Sequence, residues 1–380
     1  MAQVALELQP CCGKRSGIGT YTYELARRLH NRNGLEYVGN VFNFLGHNNN
    51  APSLAGIEMP VRTQKSMPYG VYRRVWHKIP LTYSMMFPKA ELSIFFNYIV
   101  PPHISGKVIT TIHDLTYLHY PETMDKKNLK RIQQDIRSSI ERSDHILVVS
   151  EFTKQEVVKR LDVPKKNISV VYNAPSISDE TMPFQDIRKK FGIENPYLLY
   201  VGTIEPRKNI IRLIQAYECL KQEAGISHQL VLAGGMGWNT EEILKTVNKS
   251  PYKEDIVLTG YISGVEKNTL YQNAALFLFP SLYEGFGIPP LEAMHFGCPV
   301  VCANVASLPE VVGDAAELVD PLDDVKIANG IWTVLSDQEY KKQLIERGYE
   351  REKKFTWEQS AQQLEQLCCH VLEGSSSTRP

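Results

Sequence analysis

Short apolar runs alternate with helix-patterned stretches along the whole chain, and they do so in two separate series. The first series takes in Val4 to Leu8, a helix pattern over Tyr21 to His30, Tyr37 to Phe44, Leu92 to Phe96, Lys107 to Leu115, a helix from about Lys126 to Arg142, and His145 to Ser150. The second restarts at Tyr197 to Gly202 and continues through a helix over Ile210 to Gln222, then Gln229 to Gly235, Asp255 to Gly260, Leu276 to Pro280, Pro299 to Asn304 and Ala316 to Asp320. Continuous apolar runs of this length suit strands buried on both faces, and their alternation with helices predicts an α/β chain with parallel sheets. The turn-rich stretch Ala174 to Pro183 separates the two series and reads as a linker. A chain of 380 residues is too long for one core. Residues 1–175 and 176–355 are therefore expected as two domains, with 374–380 as a disordered tail. Open parallel sheets take ligands beyond the carboxyl ends of their strands, so a binding cleft is expected between the halves.

Charge and cysteine usage narrow the classes of function. With 42 basic and 42 acidic residues the net charge is zero, so no global field draws the chain to nucleic acid or to anionic lipid. The seven cysteines form no paired C-x-x-C framework, which points to reduced thiols in a cytoplasmic compartment and to no zinc site. Cys298 and Cys302 read as small buried apolar residues. The N-terminus lacks the features of a signal peptide and no apolar stretch approaches 18 residues, so the chain is expected to be soluble or at most peripheral to a membrane. Residues 71–87 mix aromatics with cations; an interfacial helix touching lipid head groups and an ordinary amphipathic core helix both account for them.

The stretch from Glu284 to Glu292 (EGFGIPPLE) carries the most chemistry. It follows an apolar strand pattern, and Pro289 and Pro290 suit the first turn of a helix. Gly285 and Gly287 let the backbone approach a ligand closely, and a helix start offers N–H groups and partial positive charge to a phosphate or sugar. Glu284 is placed to accept from sugar hydroxyls and Glu292, expected in the first turn, from a ribose diol; alternatively both are plain helix-start acids. Arg207 and Lys208 stand at another strand-to-helix turn, where fixed cations suit a diphosphate and a solvated basic turn is the alternative; two adjacent cations do not usually aim the same way, so at least one is read as a ligand and both are candidates. Gly17 and Gly19 end a loop before the helix at Tyr21, either for packing or to line the cleft. His113 ends a strand pattern, with Asp114 beside it to orient or charge it.

Taken together these residues resemble the retaining glycosyltransferases of family 4, over nearly the whole chain. The resemblance rests on Gly17 to Gly19, His113-Asp-Leu, Val149-Ser-Glu-Phe-Thr, Glu205-Pro-Arg-Lys-Asn, Glu284 to Glu292 and Phe355-Thr-Trp-Glu-Gln-Ser-Ala. It implies the GT-B fold, two facing Rossmann-like domains with the nucleotide sugar held mainly by the C-terminal one, and a last helix over 356–373 returning to the N-terminal domain. It further implies that Glu284 meets the donor sugar, Gly285, Phe286, Gly287 and Ile288 the sugar and phosphates, Glu292 the ribose, and His113 the sugar near the reacting carbon. Gly234 and the segment holding Gly260, Tyr261 and Ile262 would hold the base, while Gly202 and Thr203 would line the donor site. Family members often carry an arginine where this chain has Thr203, so diphosphate binding would fall on Arg207 with Lys208, or on Lys208 alone.

The form of these motifs looks most like bacterial enzymes that build O-antigens, often mannosyltransferases using GDP-mannose. The implied reaction moves a hexose to a hydroxyl of a growing, lipid-linked glycan at the inner face of the cytoplasmic membrane, with retention. No Asp-x-Asp triplet is present, so no metal or other cofactor is expected. Rival readings are a glucosyl-, galactosyl- or fucosyltransferase using a UDP- or GDP-sugar, and a nucleotide-sugar-binding protein without turnover. A double displacement through Glu284 and Glu292, as in retaining hydrolases, is set aside because Glu292 is expected to face the nucleotide.

Overall fold

The apolar runs of the first half become β1 (Ala2–Glu7), β2 (Leu35–Phe42), β3 (Val61–Gln64), β4 (Leu92–Phe95), β5 (Lys107–Ile112), β6 (His145–Val148) and β7 (Ile168–Val170) of a computed structural model. The structure describes residues 1–13, 16–46, 51–76, 83–194 and 196–374. The first-half strands form one parallel sheet in the order β3-β2-β1-β4-β5-β6-β7. A second parallel sheet joins β8 (Tyr197–Val201), β9 (Gln229–Ala233), β10 (Ile256–Gly260), β11 (Leu276–Phe279), β12 (Val300–Ala303) and β13 (Glu317–Val319) in the order β10-β9-β8-β11-β12-β13. In each sheet the first strand is internal; the chain winds outward from it, then crosses back to start the other half. The reversals fall between β1 and β4 and between β8 and β11, where this architecture places ligands. Every residue of β8 and of β11 is buried, which is why those runs read as continuous rather than alternating apolar sequence.

The chain divides into two compact units. One comprises Met1–Leu115, Lys130–Asn173 and the residues from Thr356 onward; the other comprises Thr116–Leu129 and Ala174–Phe355. The last helix, Trp357–Glu373, belongs to the first unit: Ser360 Oγ donates to the Tyr172 carbonyl at 2.8 Å, and Trp357 meets the Tyr21 ring edge-on at 5.8 Å. Residues 116–129 were expected with the first domain, but they pack in the second. His119 stacks on Tyr283 at 4.9 Å, and Trp238 Nε1 donates to the Thr123 carbonyl at 2.5 Å.

Two local expectations change. The helix expected at Tyr21 begins at Gly17 and runs to Ala26, because Ser16 lies ahead of it and its hydroxyl accepts from the Gly19 N–H at 3.4 Å. Gly17 and Gly19 are thus first-turn residues of the helix, not the end of a loop. Within 71–87, residues 77–82 lie outside the described residues, as does 375–380 of the expected tail. Tyr72, Trp76, Tyr83 and Phe87 are buried in one cluster with Phe42 and Phe95, and Arg73 pairs with Asp135 at 2.8 Å. The aromatics that suggested lipid contact are therefore spent on the core, as the amphipathic-helix alternative required. Among the described residues, no helix is long and apolar enough to cross a membrane.

Candidate active site

Because β8 and β11 are neighbours, with Leu276 opposite Leu198 and Phe277 opposite Leu199, the loops leaving their carboxyl ends emerge side by side. After β8, Pro206–Lys208 makes a single 3-10 turn that stops at Asn209, whose φ of +62° is left-handed. Asn209 Nδ2 donates to the Pro280 carbonyl at 3.1 Å and the Pro321 carbonyl at 2.7 Å, and Leu282 N–H donates to the Arg207 carbonyl at 2.9 Å. These bonds fix the cationic turn to the exit of β11, and so bring Arg207 and Lys208 onto Glu284.

Arg207 Nη1 lies 2.8 Å from Glu284 Oε2 and donates to the Tyr283 carbonyl at 2.7 Å, while Nη2 lies 2.8 Å from Glu205 Oε1. Lys208 Nζ lies 2.5 Å from Glu284 Oε1 and 5.2 Å from the centre of the Phe279 ring. The two neighbours do aim at one group, contrary to the sequence expectation, because a carboxylate offers one oxygen to each. Burial alone pushes the Glu284 carboxyl up, but Arg207 and Lys208 outweigh it and hold the group down at about 2. Burial and the Arg207 charge lower the Lys208 pKa, against the pull of Glu284.

The backbone after Glu284 is equally fixed. The buried Ser307 hydroxyl lies 2.8 Å from the Glu284 carbonyl and 2.9 Å from the Phe286 carbonyl. The Phe286 ring is buried edge-on against Phe355 at 5.4 Å, so its side chain anchors the loop and only its backbone is left to face a ligand. Gly287 sits at φ +101°, and a Cβ there would come 2.5 Å from Leu308 Cδ2, so any other residue would be strained and would have to displace Leu308. Ser307→Ala removes the one hydroxyl proton that the Glu284 and Phe286 carbonyls share. It is expected to cost about 1–3 kcal/mol in urea unfolding and to lower turnover several-fold; unchanged stability would remove Ser307 as the loop's anchor.

The helix that follows is Ile288–His295, so Glu292 falls in its second turn and not its first, and the reading as a helix-start acid fails. Pro289 and Pro290 lack N–H groups, which leaves Ile288 as the only amide donor among the first three helical positions. Glu292 is held by residues that sequence spacing did not reveal: Lys267 Nζ is 2.5 Å from Oε1, and the Tyr271 hydroxyl donates to Oε2 at 3.1 Å. Gly202, Gly234 and Gly260 close the ends of β8, β9 and β10. The Gly234 N–H donates to the Gly260 carbonyl at 3.0 Å, and at Gly234, φ +147°, a Cβ would lie 1.9 Å from the Gly202 carbonyl oxygen. Thr203 is exposed, with its carbonyl accepting from Tyr200; Tyr261 is 68% exposed and Ile262 is buried.

His113 and the glycines near it stand in the first unit. His113 Nε2 is 2.8 Å from the Phe96 carbonyl, just past β4, and the Tyr21 ring meets it edge-on at 5.1 Å. Burial lowers its pKa, more than the Phe96 hydrogen bond and the Asp114 charge raise it. The ring is therefore neutral at pH 7 and carries its proton on Nε2, since a carbonyl only accepts; Nδ1 keeps its lone pair. The Phe96 carbonyl orients it, and the Asp114 charge acts on it as well. Among the described residues no group of three or more His, Cys, Asp or Glu side chains is placed to hold a metal ion. Such an arrangement, a fixed cation pair at a switch point with a braced carboxylate and glycine-lined strand ends, is equipped to bind a sugar diphosphate and stabilise its departure.

Residues 183–351 match the glycosyl transferases of group 1, and residues 90–177 match glycosyltransferase family 4. The chain is 32% identical over 362 residues to the O-antigen chain mannosyltransferase B of Escherichia coli, covering 90% of this chain and 93% of that protein. It is 31% identical over 214 residues to the O-antigen chain mannosyltransferase RfbU of Salmonella typhimurium, covering 56% of this chain and 57% of that one. Among solved structures, sucrose-phosphate synthase from Thermosynechococcus elongatus superposes with a TM-score of 0.74 at 19% identity, covering 99% of this chain and all (100%) of that one. WaaG, a glycosyltransferase involved in lipopolysaccharide biosynthesis, superposes with a TM-score of 0.68 at 15% identity, covering 96% of this chain and 99% of that one. At these identities the solved structures speak for the GT-B fold.

Proposed function

We propose, from the premise that this chain belongs to the family 4 glycosyltransferases and is itself a glycosyltransferase, that it moves mannose from GDP-mannose to a hydroxyl of a lipid-linked glycan, with retention, in the synthesis of a surface polysaccharide. The transfer reading is carried by the Arg207–Glu284–Lys208 cluster at the β8/β11 reversal. The choice of mannose is supported by the likeness to an O-antigen chain mannosyltransferase over 90% of the chain. As the bond from the anomeric carbon to the diphosphate breaks, negative charge grows on the leaving oxygen, and Lys208 and Arg207 stabilise it. Two protein cations then do what a divalent ion does elsewhere, so transfer proceeds without metal. The acceptor hydroxyl attacks from the face the diphosphate leaves and passes its proton to a phosphate oxygen. Glu292, held by Lys267 and Tyr271, takes the ribose hydroxyls, and His113 Nδ1 accepts from a donor-sugar hydroxyl. The reaction is placed in the cytoplasm, with the lipid-linked acceptor reached at the membrane face.

A thermal-shift panel of GDP, UDP, ADP, GDP-mannose and UDP-glucose, run without and then with EDTA, tests this reading. A ligand at one hundred times its Kd stabilises the folded state by about 2.7 kcal/mol. GDP and GDP-mannose are expected to raise Tm despite the chelator. Shifts with UDP and UDP-glucose instead would move the donor to a UDP-sugar, loss of every shift on adding EDTA would overturn metal independence, and no shift with any nucleotide would overturn the transferase site.

A further inference from the structure

Two acids share the two cations of the site, on unequal terms. Glu284 is bonded to both Arg207 and Lys208, whereas the side chain of Glu205, 2% exposed, is bonded among the described residues only to Arg207, through Oε1. Its other oxygen, Oε2, is buried with no hydrogen-bond partner among the described residues. The charged and titratable groups facing Glu205 are Arg207, Lys208 and Glu284, with the Tyr200 phenol close by. Burial raises the Glu205 carboxyl and Glu284 raises it further, against the pull of Arg207 and Lys208. With both acids ionised the four groups sum to zero charge, so an arriving diphosphate finds its cations already neutralised. One acid must then yield, and the less well paired of the two is Glu205.

We propose that Glu205 is a positioning residue that holds Arg207 in the empty site and takes up a proton when a nucleotide sugar binds, releasing the guanidinium toward the diphosphate. The inference rests on the nucleotide-sugar reading above. The proton comes from the buffer and forms an O–H bond on Oε2, the oxygen that lacks a partner. Neutral Glu205 keeps Oε1 as an acceptor but no longer competes electrostatically for Arg207. Donor affinity should therefore tighten as pH falls between the raised pKa of the empty site and the still higher one of the complex.

Calorimetric titration of the whole protein with GDP-mannose, and in parallel UDP-glucose, measures this directly. Neither donor titrates near neutrality, so in MOPS, HEPES and Tris at one pH the slope of apparent enthalpy against buffer ionisation enthalpy counts protons taken up by the protein. A net uptake by the wild-type protein that vanishes in Glu205→Gln, with affinity for the same donor falling less than tenfold, is the expected result; a residue that merely packs would leave the slope unchanged. A zero slope in the wild-type protein overturns the inference whether or not the variant folds. A slope that persists in Glu205→Gln assigns the proton to another group, Lys208 foremost, and overturns it too. Binding of neither donor overturns the underlying reading and this inference with it.

Discussion

Lys208→Ala is expected to lower transfer by about two orders of magnitude or more while the protein stays folded, which is the usual loss when one preorganised charge is taken from a transition state. The geometry singles out this cation over its neighbour. Before a donor binds, Arg207 is held by Glu284, Glu205 and the Tyr283 carbonyl, and these bonds tie the two loops together. Among the described residues the Lys208 ammonium has a single hydrogen-bonded side-chain partner, Glu284, and lies over the Phe279 ring, so it can turn two further protons toward a phosphate. Removing it leaves Glu284 still paired with Arg207, so the buried carboxylate is not abandoned and the loss of stability stays small. Steady-state transfer alongside the melting temperature separates the two effects. Lys208→Arg restores charge without the compact geometry and should recover only part of the rate; near-normal transfer in Lys208→Ala would remove Lys208 from the site.

The cluster was only half legible in the sequence, and the reasons are physical. β8 and β11 announce themselves because strands buried on both faces must be continuously apolar, and the chemistry at their ends follows from where such strands stop. β3 (Val61-Arg-Thr-Gln) is a half-buried edge strand and β7 spans three residues, so neither carries an apolar run long enough to read. The early start of the first helix hung on one hydroxyl, Ser16, reaching one N–H. What no local pattern contains is the partner that arrives from another element. Lys267 and Tyr271 hold Glu292 from a separate helix, Ser307 ties down the Glu284 loop from 23 residues further on, and His119 reaches Tyr283 from the other half of the sequence. Residue type marked which side chains carry chemistry; only the folded chain shows what braces them.

Glu284→Ala is where this bracing changes the expected experiment. From sequence alone the substitution should spare the fold and lose transfer. In the structure it strips the shared counter-ion from two largely buried cations, and breaking a buried pair by removing one partner typically costs about 3–5 kcal/mol. Lost activity in Glu284→Ala therefore confounds chemistry with folding. Glu284→Gln keeps the volume and one acceptor oxygen, so it should lose transfer by about two orders of magnitude at a smaller cost in stability. Acid gives an independent check with a definite sign. The folded-state pKa of Glu284, about 2, lies below its ordinary 4.5, so its contribution is fully present above pH 4.5 and is lost as pH falls toward 2. The difference is worth about 3 kcal/mol to order of magnitude. Urea unfolding of the wild-type protein at pH 7 and pH 3 should show a larger acid loss than Glu284→Gln, which has no proton to take up at this position. Equal losses in the two proteins would mean that the carboxylate is not held between the cations, and the cluster could not then present Lys208 to a diphosphate as argued.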